Sequence, residues 1–143
     1  MLSYTCKTAI KATIFLSSKS DKAEKANIRE ISGRINASEH TVGKILQLLA
    51  RKKIINSLKG PTGGFYLNEE QQQQPIINIV EAIEGDAIFK GCGLGLSKCS
   101  ASHPCPIHDE YKVVRDLMEK IFRERKVRDL CGAVNSGLAY LID

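Results

Sequence analysis

Three cysteines and one histidine lie within seventeen residues of one another, at Cys92, Cys99, Cys105 and His108. Thiolates and imidazoles are the protein ligands of zinc and of iron–sulfur centres. The cysteines follow the spacing C-x6-C-x5-C, whereas a zinc knuckle places two sulfurs on one ion through a C-x2-4-C turn. The wide spacing favours an iron–sulfur cluster, with a zinc site and unmetallated thiols as the alternatives.

The chain has five cysteines, and the other two, Cys6 and Cys131, lie far from this run. We expect each to be a small buried apolar residue. The N-terminal residues do not combine an apolar run with a small-residue cleavage site, and no stretch approaches the roughly 18 apolar residues that span a bilayer. The sequence therefore predicts a cytoplasmic protein without a membrane partner, where an odd number of cysteines favours thiols or metal ligands over disulfides.

Positive charge is concentrated in the first half of the 143-residue chain, which carries a net charge of +5. Up to residue 70 there are twelve Lys and Arg against six Asp and Glu, and after it nine against ten. Such an asymmetry is typical of a protein that binds a polyanion. The length, with 43% apolar and 26% charged residues, indicates about one globular domain.

Periodic apolar residues predict three helices in this basic half, the first over residues 4–18 and the others starting after the N-cap residues Asn27 and Ser38. A strand over 54–58, a glycine-rich turn and a strand over 65–67 follow. This order predicts a mainly α-helical fold with a small β-hairpin wing, namely a winged helix-turn-helix over residues 1–70.

A recognition helix presents its polar face to the major groove of DNA. The alternative interpretation of the third helix is that its polar face is only exposed to solvent. The candidate DNA-binding residues around the third helix are Ser38, His40, Thr41, Lys44, Gln47 and Arg51. In the wing, Lys59 begins the turn and is expected to reach a phosphate or the minor groove.

The second half, residues 71–143, is predicted to hold the partner and ligand sites. Residues 69–75, with four consecutive glutamines, are expected to form a surface connection, and a short helix ends at Gly85. A cysteine ligand loop over 86–108, a long helix over 109–126 and a C-terminal tail follow.

In so short a chain, few residues remain to pack against the apolar stripe of the long helix. Its residues are Val114, Leu117, Met118, Ile121 and Phe122. Self-association is the economical explanation, so we expect a homodimer that reads a palindromic DNA site, while folding back onto the wing domain is the alternative.

Enzymatic motifs are absent: there is no phosphate-binding glycine loop, no nucleophile elbow and no paired acid and base. We therefore expect neither an enzyme nor a small-molecule substrate. An electron carrier would leave the DNA-binding half unexplained, and a zinc-stabilised adaptor would lack salt-dependent affinity for DNA.

The motifs together resemble those of the Rrf2 family of regulators over essentially the whole chain. The resemblance rests on the helix-turn-helix, the wing KGPTGGFYL from Lys59, the segment VEAIEG ending at Gly85, the cysteine loop and the long helix, in that order. It implies a homodimeric bacterial transcription factor. The cysteine-containing branch of the family, which regulates iron–sulfur biogenesis or senses nitric oxide, holds [2Fe-2S] or [4Fe-4S] clusters through three loop cysteines, which Cys92, Cys99 and Cys105 match.

The resemblance also points to a fourth ligand. His108 matches the histidine that follows the third cysteine in the biogenesis regulators, whereas the nitric-oxide sensors use an N-terminal acidic residue, and this chain has no acid before Asp21. This difference favours His108 and a [2Fe-2S] over a [4Fe-4S] cluster. The family typically has five residues between the first two cysteines instead of six, so we expect either a bulge in the loop or a different position of the cluster. The implied function is control of operator affinity by the state of the cluster, and the alternative is a cluster-free repressor that senses thiol oxidation or a protein partner.

Overall fold

The computed structural model describes residues 1–143 and contains eight helices and one two-stranded sheet. None of the helices combines the length and apolarity that crossing a membrane requires. The elements are, in chain order, α1 Tyr4–Ser20, α2 Ile28–Ile35, α3 Glu39–Arg51, β1 Asn56–Leu58, β2 Gly64–Tyr66, α4 Glu69–Gln72, α5 Ile77–Glu84, α6 Ala87–Lys90, α7 His108–Glu124 and α8 Val127–Asn135.

The N-terminal half forms the predicted winged helix-turn-helix. The side chain of Asn27 caps α2 by accepting a hydrogen bond from the Glu30 amide at 2.8 Å, and Ser38 caps α3 by accepting one from the Thr41 amide at 3.1 Å. Strands β1 and β2 pair antiparallel to make the wing. The mainly helical fold with a β-hairpin wing is therefore confirmed.

Helix α1 lies at the centre of the molecule and packs against α2, α3, α5 and α8. The main core joins buried side chains from both halves of the chain, among them Leu16, Ile31, Leu46, Ile79 and Val127. The C-terminal half therefore packs directly on the helices of the N-terminal half, which gives the two halves a shared core.

The structure corrects the prediction for the glutamine-rich segment. Residues 69–72 form the short helix α4, and Gln71 and Gln72 are buried instead of lying on a surface connection. Their amides are paired with side chains distant in sequence, such as Ser17, whose hydroxyl donates to Gln72 Oε1 at 3.3 Å. A buried amide with its hydrogen bonds satisfied costs little, but no local pattern indicates such a partner.

The predicted C-terminal tail is also corrected, because residues 127–135 form α8. Its buried side chains Val127 and Cys131 pack toward α1, and Cys6 is likewise buried. Both cysteines outside the loop are thus small buried residues, as expected.

The cysteine segment begins with the four-residue helix α6, whose Phe89 packs against Phe122 of α7 with ring centroids 5.8 Å apart. The remainder of the loop is irregular and leads into α7, which starts at His108, one residue before the predicted start. Helix α7 therefore carries one candidate ligand at its first residue.

Candidate functional site

Helix α3 has one apolar face and one polar face. Its core side is formed by Val42, Ile45, Leu46 and Leu49, all buried. On the other side His40, Lys44, Gln47 and Arg51 are exposed at intervals of four, three and four residues, which places them on one stripe of the helix. The structure brings these four predicted DNA-binding residues together on an open surface.

Ser38 and Thr41 sit at the N-terminal end of this stripe and are engaged in the helix cap. The Ser38 hydroxyl accepts the Thr41 amide and donates to Thr41 Oγ1 at 2.8 Å. The first turn of a helix also carries the positive end of the helix dipole, which attracts phosphate. These two residues therefore fix the N-terminal turn of α3, where the positive end of the dipole lies.

The wing adds a further positive surface. Lys59 is exposed at its turn, as predicted. At the root of the wing, the Lys25 ammonium lies 5.5 Å from the centre of the Tyr66 ring. Sequence analysis missed Lys25, because its position beside the wing depends on the pairing of Ala26 with Phe65.

The four candidate ligands lie in two pairs at the start of α7. Cys99 Sγ is 3.3 Å from His108 Nδ1, and Cys105 lies near enough to Cys92 to help lower the pKa of the Cys92 thiol. Cys105 and His108 are buried, and the backbone amide of His108 donates to the Cys105 carbonyl at 3.0 Å. Each pair thus combines one residue of the loop with one residue at or near the helix.

Backbone amides surround the first sulfur. The amides of Leu94 and Leu96, and more weakly that of Gly95, donate to the Cys92 sulfur and lower the pKa of this thiol. The turn that aims them depends on Gly95, whose φ of 79° is left-handed and whose amide donates to the Cys92 carbonyl at 3.1 Å. Amide donors to a cysteine sulfur are also a feature of iron–sulfur sites.

The loop lies against the side of α7 at Gly93. A Cβ at this position would approach the Tyr111 ring to 2.8 Å, so only glycine allows the present contact. The residue next to Cys92 is therefore packed directly on the helix that carries His108.

Arg115 is a buried cation that faces the loop. Its guanidinium donates to the carbonyls of Lys90 at 3.1 Å and Gly91 at 2.9 Å, and a hydrogen bond with Cys99 is the main cause that raises its pKa. Its Nε has no hydrogen-bond partner. The carboxylate of Asp116 lies 3.7 Å away but is exposed and paired with Lys112. A buried positive charge of this kind is stabilised by a nearby anion.

The ligand-type side chains do not converge on a single point, since no three of them are close enough to hold one metal ion. A single zinc ion with three or four protein ligands does not fit this arrangement. Two pairs of ligands beside a buried cation fit a negatively charged group that contains two metal ions.

Helix α7 carries two apolar stripes where one was predicted. Val114, Leu117 and Ile121 are 64%, 57% and 47% exposed. Met118 and Phe122, which were expected on the same surface, are half-buried and pack against the small core of Cys6, Ile77, Val80 and Phe89. Both sets recur every three to four residues, so periodicity alone merges them.

The comparisons with known proteins agree with these features. A sequence model of the Rrf2 family, described as an iron-dependent transcriptional regulator, matches residues 2–133. The chain belongs to the Rrf2 family of transcriptional regulators. This membership confirms the resemblance found in the sequence and agrees with the expectation that the protein is not an enzyme.

Curated relatives of this Rrf2 regulator carry similar names. A protein of Aquifex aeolicus named as an HTH-type transcriptional regulator is 29% identical over 133 residues, covering 91% of this chain and 90% of its own. The HTH-type transcriptional regulator NsrR of Oceanobacillus iheyensis is 25% identical over 123 residues, covering 85% and 83%.

Solved structures share the fold of the Rrf2 regulator. CymR, the global cysteine regulator of B. subtilis, superposes with a TM-score of 0.75 at 17% identity, covering 92% of this chain and 96% of its own. IscR of T. potens superposes with a TM-score of 0.74 at 15% identity, covering 97% and 91%. These similarities concern the architecture alone.

Sequence analysis did not identify two residues in the C-terminal half of the Rrf2 regulator. Arg115 lies seven residues, or two helical turns, after His108, so the spacing places both on one face of α7, but burial of an arginine is rarely expected. Val113, which is 68% exposed, extends the outward stripe by one residue.

Proposed function

We propose that this Rrf2 regulator binds double-stranded operator DNA as a homodimer and that a [2Fe-2S] cluster controls its affinity for DNA. Cys92, Cys99, Cys105 and His108 would hold the cluster. The observation that carries this proposal is the arrangement of these ligands in two pairs, with Cys99 of one pair beside the buried Arg115.

The ligand set suits a cluster with two irons. Each iron of such a cluster takes two protein ligands in addition to the bridging sulfides, and histidine is known to replace cysteine in this role. When bound, the cluster supplies a one-electron redox couple. The chain contributes the amide donors at Cys92 and the positive charge of Arg115, which offsets the negative charge of three thiolates.

DNA binding is assigned to the polar stripe of α3 and to the wing. His40 and Thr41 lie near the N-terminal end of α3, where base edges are read, and Lys44 and Arg51 supply charge for phosphates. Lys59 in the wing contacts the backbone or the minor groove. The net charge of the first 70 residues supports this assignment.

A second copy of the chain would cover the outward stripe of α7. Val113, Val114, Leu117 and Ile121 are exposed on a helix of 17 residues, and exposed apolar patches of this kind mark interaction sites. Pairing of two such helices around a twofold axis gives a symmetric dimer, which reads a palindromic operator.

Control of affinity requires that the loop and the dimer interface are connected. Arg115 binds the start of the loop from the inward face of α7, while the outward face would carry the dimer contact. A change in loop order therefore acts on α7 and, through the dimer, on the separation of the two recognition helices. Couplings between two sites in proteins are typically about 1–3 kcal/mol.

The first test is the metal content of protein purified without oxygen. We expect iron and acid-labile sulfide together with visible absorption in the wild type, and loss of all three in Cys99→Ala. Cys131→Ala is the matched control, because Cys131 is buried outside the loop, and it should retain iron. A colourless wild type without iron and sulfide would contradict the cluster.

The rival function is a thiol sensor, and the contact between Cys92 and Cys105 favours it over a zinc adaptor. Peroxide would oxidise the Cys92 thiolate to a sulfenic acid with release of hydroxide, and attack by the Cys105 thiol would then form a disulfide and release one water. Protein that lacks iron but forms this disulfide under peroxide, with a change in DNA affinity, would establish the rival.

A further inference from the structure

The glutamine-rich segment contains a buried amide with every hydrogen-bonding position used. Gln71 Oε1 accepts from the Asn68 amide and from Asn56 Nδ2, both at 2.9 Å. Gln71 Nε2 donates to the Lys53 carbonyl at 3.0 Å and to Asn56 Oδ1 at 3.1 Å. A carboxamide offers two donors and one oxygen with two lone pairs, so this side chain is fully satisfied.

These partners lie where the recognition helix passes into the wing. Lys53 follows the end of α3 in a left-handed conformation with φ of 60°, and Asn56 is the first residue of β1. Gln74 adds a bond to the same connection, because its Nε2 donates to the Ile54 carbonyl at 2.8 Å. The connection between α3 and the wing is thus held by two glutamine side chains.

The two strands of the wing are held in different ways. Strand β2 is fixed by backbone bonds, since Phe65 and Ala26 exchange hydrogen bonds of 2.8 and 3.1 Å, and just after β2 the Leu67 amide donates to the side-chain oxygen Oγ of Ser20. Apart from its pairing with β2, strand β1 is hydrogen-bonded to the rest of the chain through the side chain of Asn56, which bonds to Gln71. Removing Gln71 therefore loosens β1, which keeps its pairing with β2, and leaves the bonds of β2 to Ala26 in place.

The same segment is bound on its other side to the connection between α7 and α8. The Val127 amide donates to the Gln74 carbonyl at 3.0 Å, and the Ile76 amide donates to the Arg125 carbonyl at 2.9 Å. Helix α7 extends from this connection over 17 residues, about 25 Å, to His108. Gln74 thus touches both the base of the wing and the first residue of α8, three residues after the end of the helix that carries the candidate cluster ligand.

We propose that Gln71 and Gln74 are positioning residues that fix the wing relative to the recognition helix and join it to the α7–α8 connection. The assignment of the wing to DNA contact rests on the proposed function, but the positioning itself is a property of the free protein. Displacement of the C-terminal end of α7 would move Gln74 and with it the Ile54 carbonyl at the base of the wing.

The test compares Gln71→Met with Gln73→Met in the free protein by amide hydrogen exchange. Methionine preserves the length of the side chain without its hydrogen bonds. Gln73 is the exposed neighbour, and its side chain has one long contact of 3.4 Å with Lys126 Nζ. We expect exchange of the 56–58 amides to accelerate about tenfold or more in Gln71→Met, equivalent to about 1.4 kcal/mol, while the Phe65 amide, the α1 amides and the amides of Gln73→Met are unchanged.

Two exchange results would overturn the proposal: unchanged exchange in the wing, or acceleration of α1 and the wing together, which indicates general destabilisation. Asn56→Ala provides a second variant if the methionine variant does not fold. It removes the bonds between Asn56 and Gln71 but leaves those of Gln71 with the Asn68 amide and the Lys53 carbonyl, so a smaller acceleration confined to the wing is expected.

A double-mutant cycle that combines Lys59→Ala with Gln71→Met and measures DNA affinity provides a separate test. In the otherwise wild-type protein, Lys59→Ala should weaken binding to a selected duplex. In the Gln71→Met background, where Gln71 no longer holds the wing, the loss of affinity caused by Lys59→Ala should be at least threefold smaller. Equal losses in both backgrounds would contradict positioning by Gln71. No loss in the wild type would remove the wing contact from the proposed function, while the exchange result would still decide the inference.

Discussion

Helices α3 and α7 are both amphipathic, but they present opposite faces to their own chain. α3 buries aliphatic residues such as Ile45 and Leu46 and exposes polar ones. The buried residues of α7 are His108 and Arg115, whereas Leu117 and Ile121 are exposed. Met118 and Phe122 join α7 to the core, but the helix also buries a cation and leaves an apolar stripe exposed, and we propose that the cluster and a second copy of the chain complete these two faces.

The largest effect is expected on the outward face of α7. Leu117→Glu places a charge in the proposed dimer contact and should weaken dimerisation by about 30-fold or more, about 2 kcal/mol. The matched control is Lys120→Glu, on an exposed position of the same helix. Sedimentation equilibrium measures both, and equal association of the two variants would show that Leu117 does not lie in the interface.

The inward face is tested by Arg115→Met. Loss of the guanidinium leaves the Lys90 and Gly91 carbonyls without their donor and removes the cation beside Cys99, so iron affinity should fall about 10–100-fold. Arg123→Met changes an exposed arginine of the same helix and should retain iron. Competition with a chelator provides the measurement, and equal retention by both variants would assign Arg115 a purely structural role.

The smallest effect is expected on α3. Lys44→Ala should weaken DNA binding and, if Lys44 contacts phosphate, lower the slope of log K against log salt by about one unit without changing sequence preference. Lys120→Ala removes a lysine of α7 and should leave the slope unchanged. A loss confined to one base position would instead place Lys44 in base readout.

The contrast between the two helices also explains what the sequence could predict. Ser38 and the apolar period of α3 define that helix locally, and the glycine-rich turn defines the wing. In α7, by contrast, periodicity could not tell the inward Met118 and Phe122 from the outward Leu117 and Ile121, since the distinction depends on α5 and α6 packing against one side.

In the candidate site, too, local sequence predicts some features, whereas others depend on tertiary packing. The spacing of cysteines and histidine identified the ligand types, but the pairing of Cys99 with His108 and the burial of Arg115 arise from the loop folding onto α7. The glutamine segment was misjudged because its amides are satisfied by Asn56 and Lys53, more than ten residues away. Interactions of this range leave no local pattern in the sequence.

The most direct test of the central claim is the DNA affinity of cluster-loaded and apo protein at one salt concentration. The probe is the tightest duplex selected from random DNA by each form separately, with iron and sulfide measured on the same samples. A coupled regulator should show at least a fivefold difference in Kd between the two forms, about 1 kcal/mol, on at least one duplex. Equal affinities of fully loaded and apo protein for every selected duplex would contradict control by the cluster.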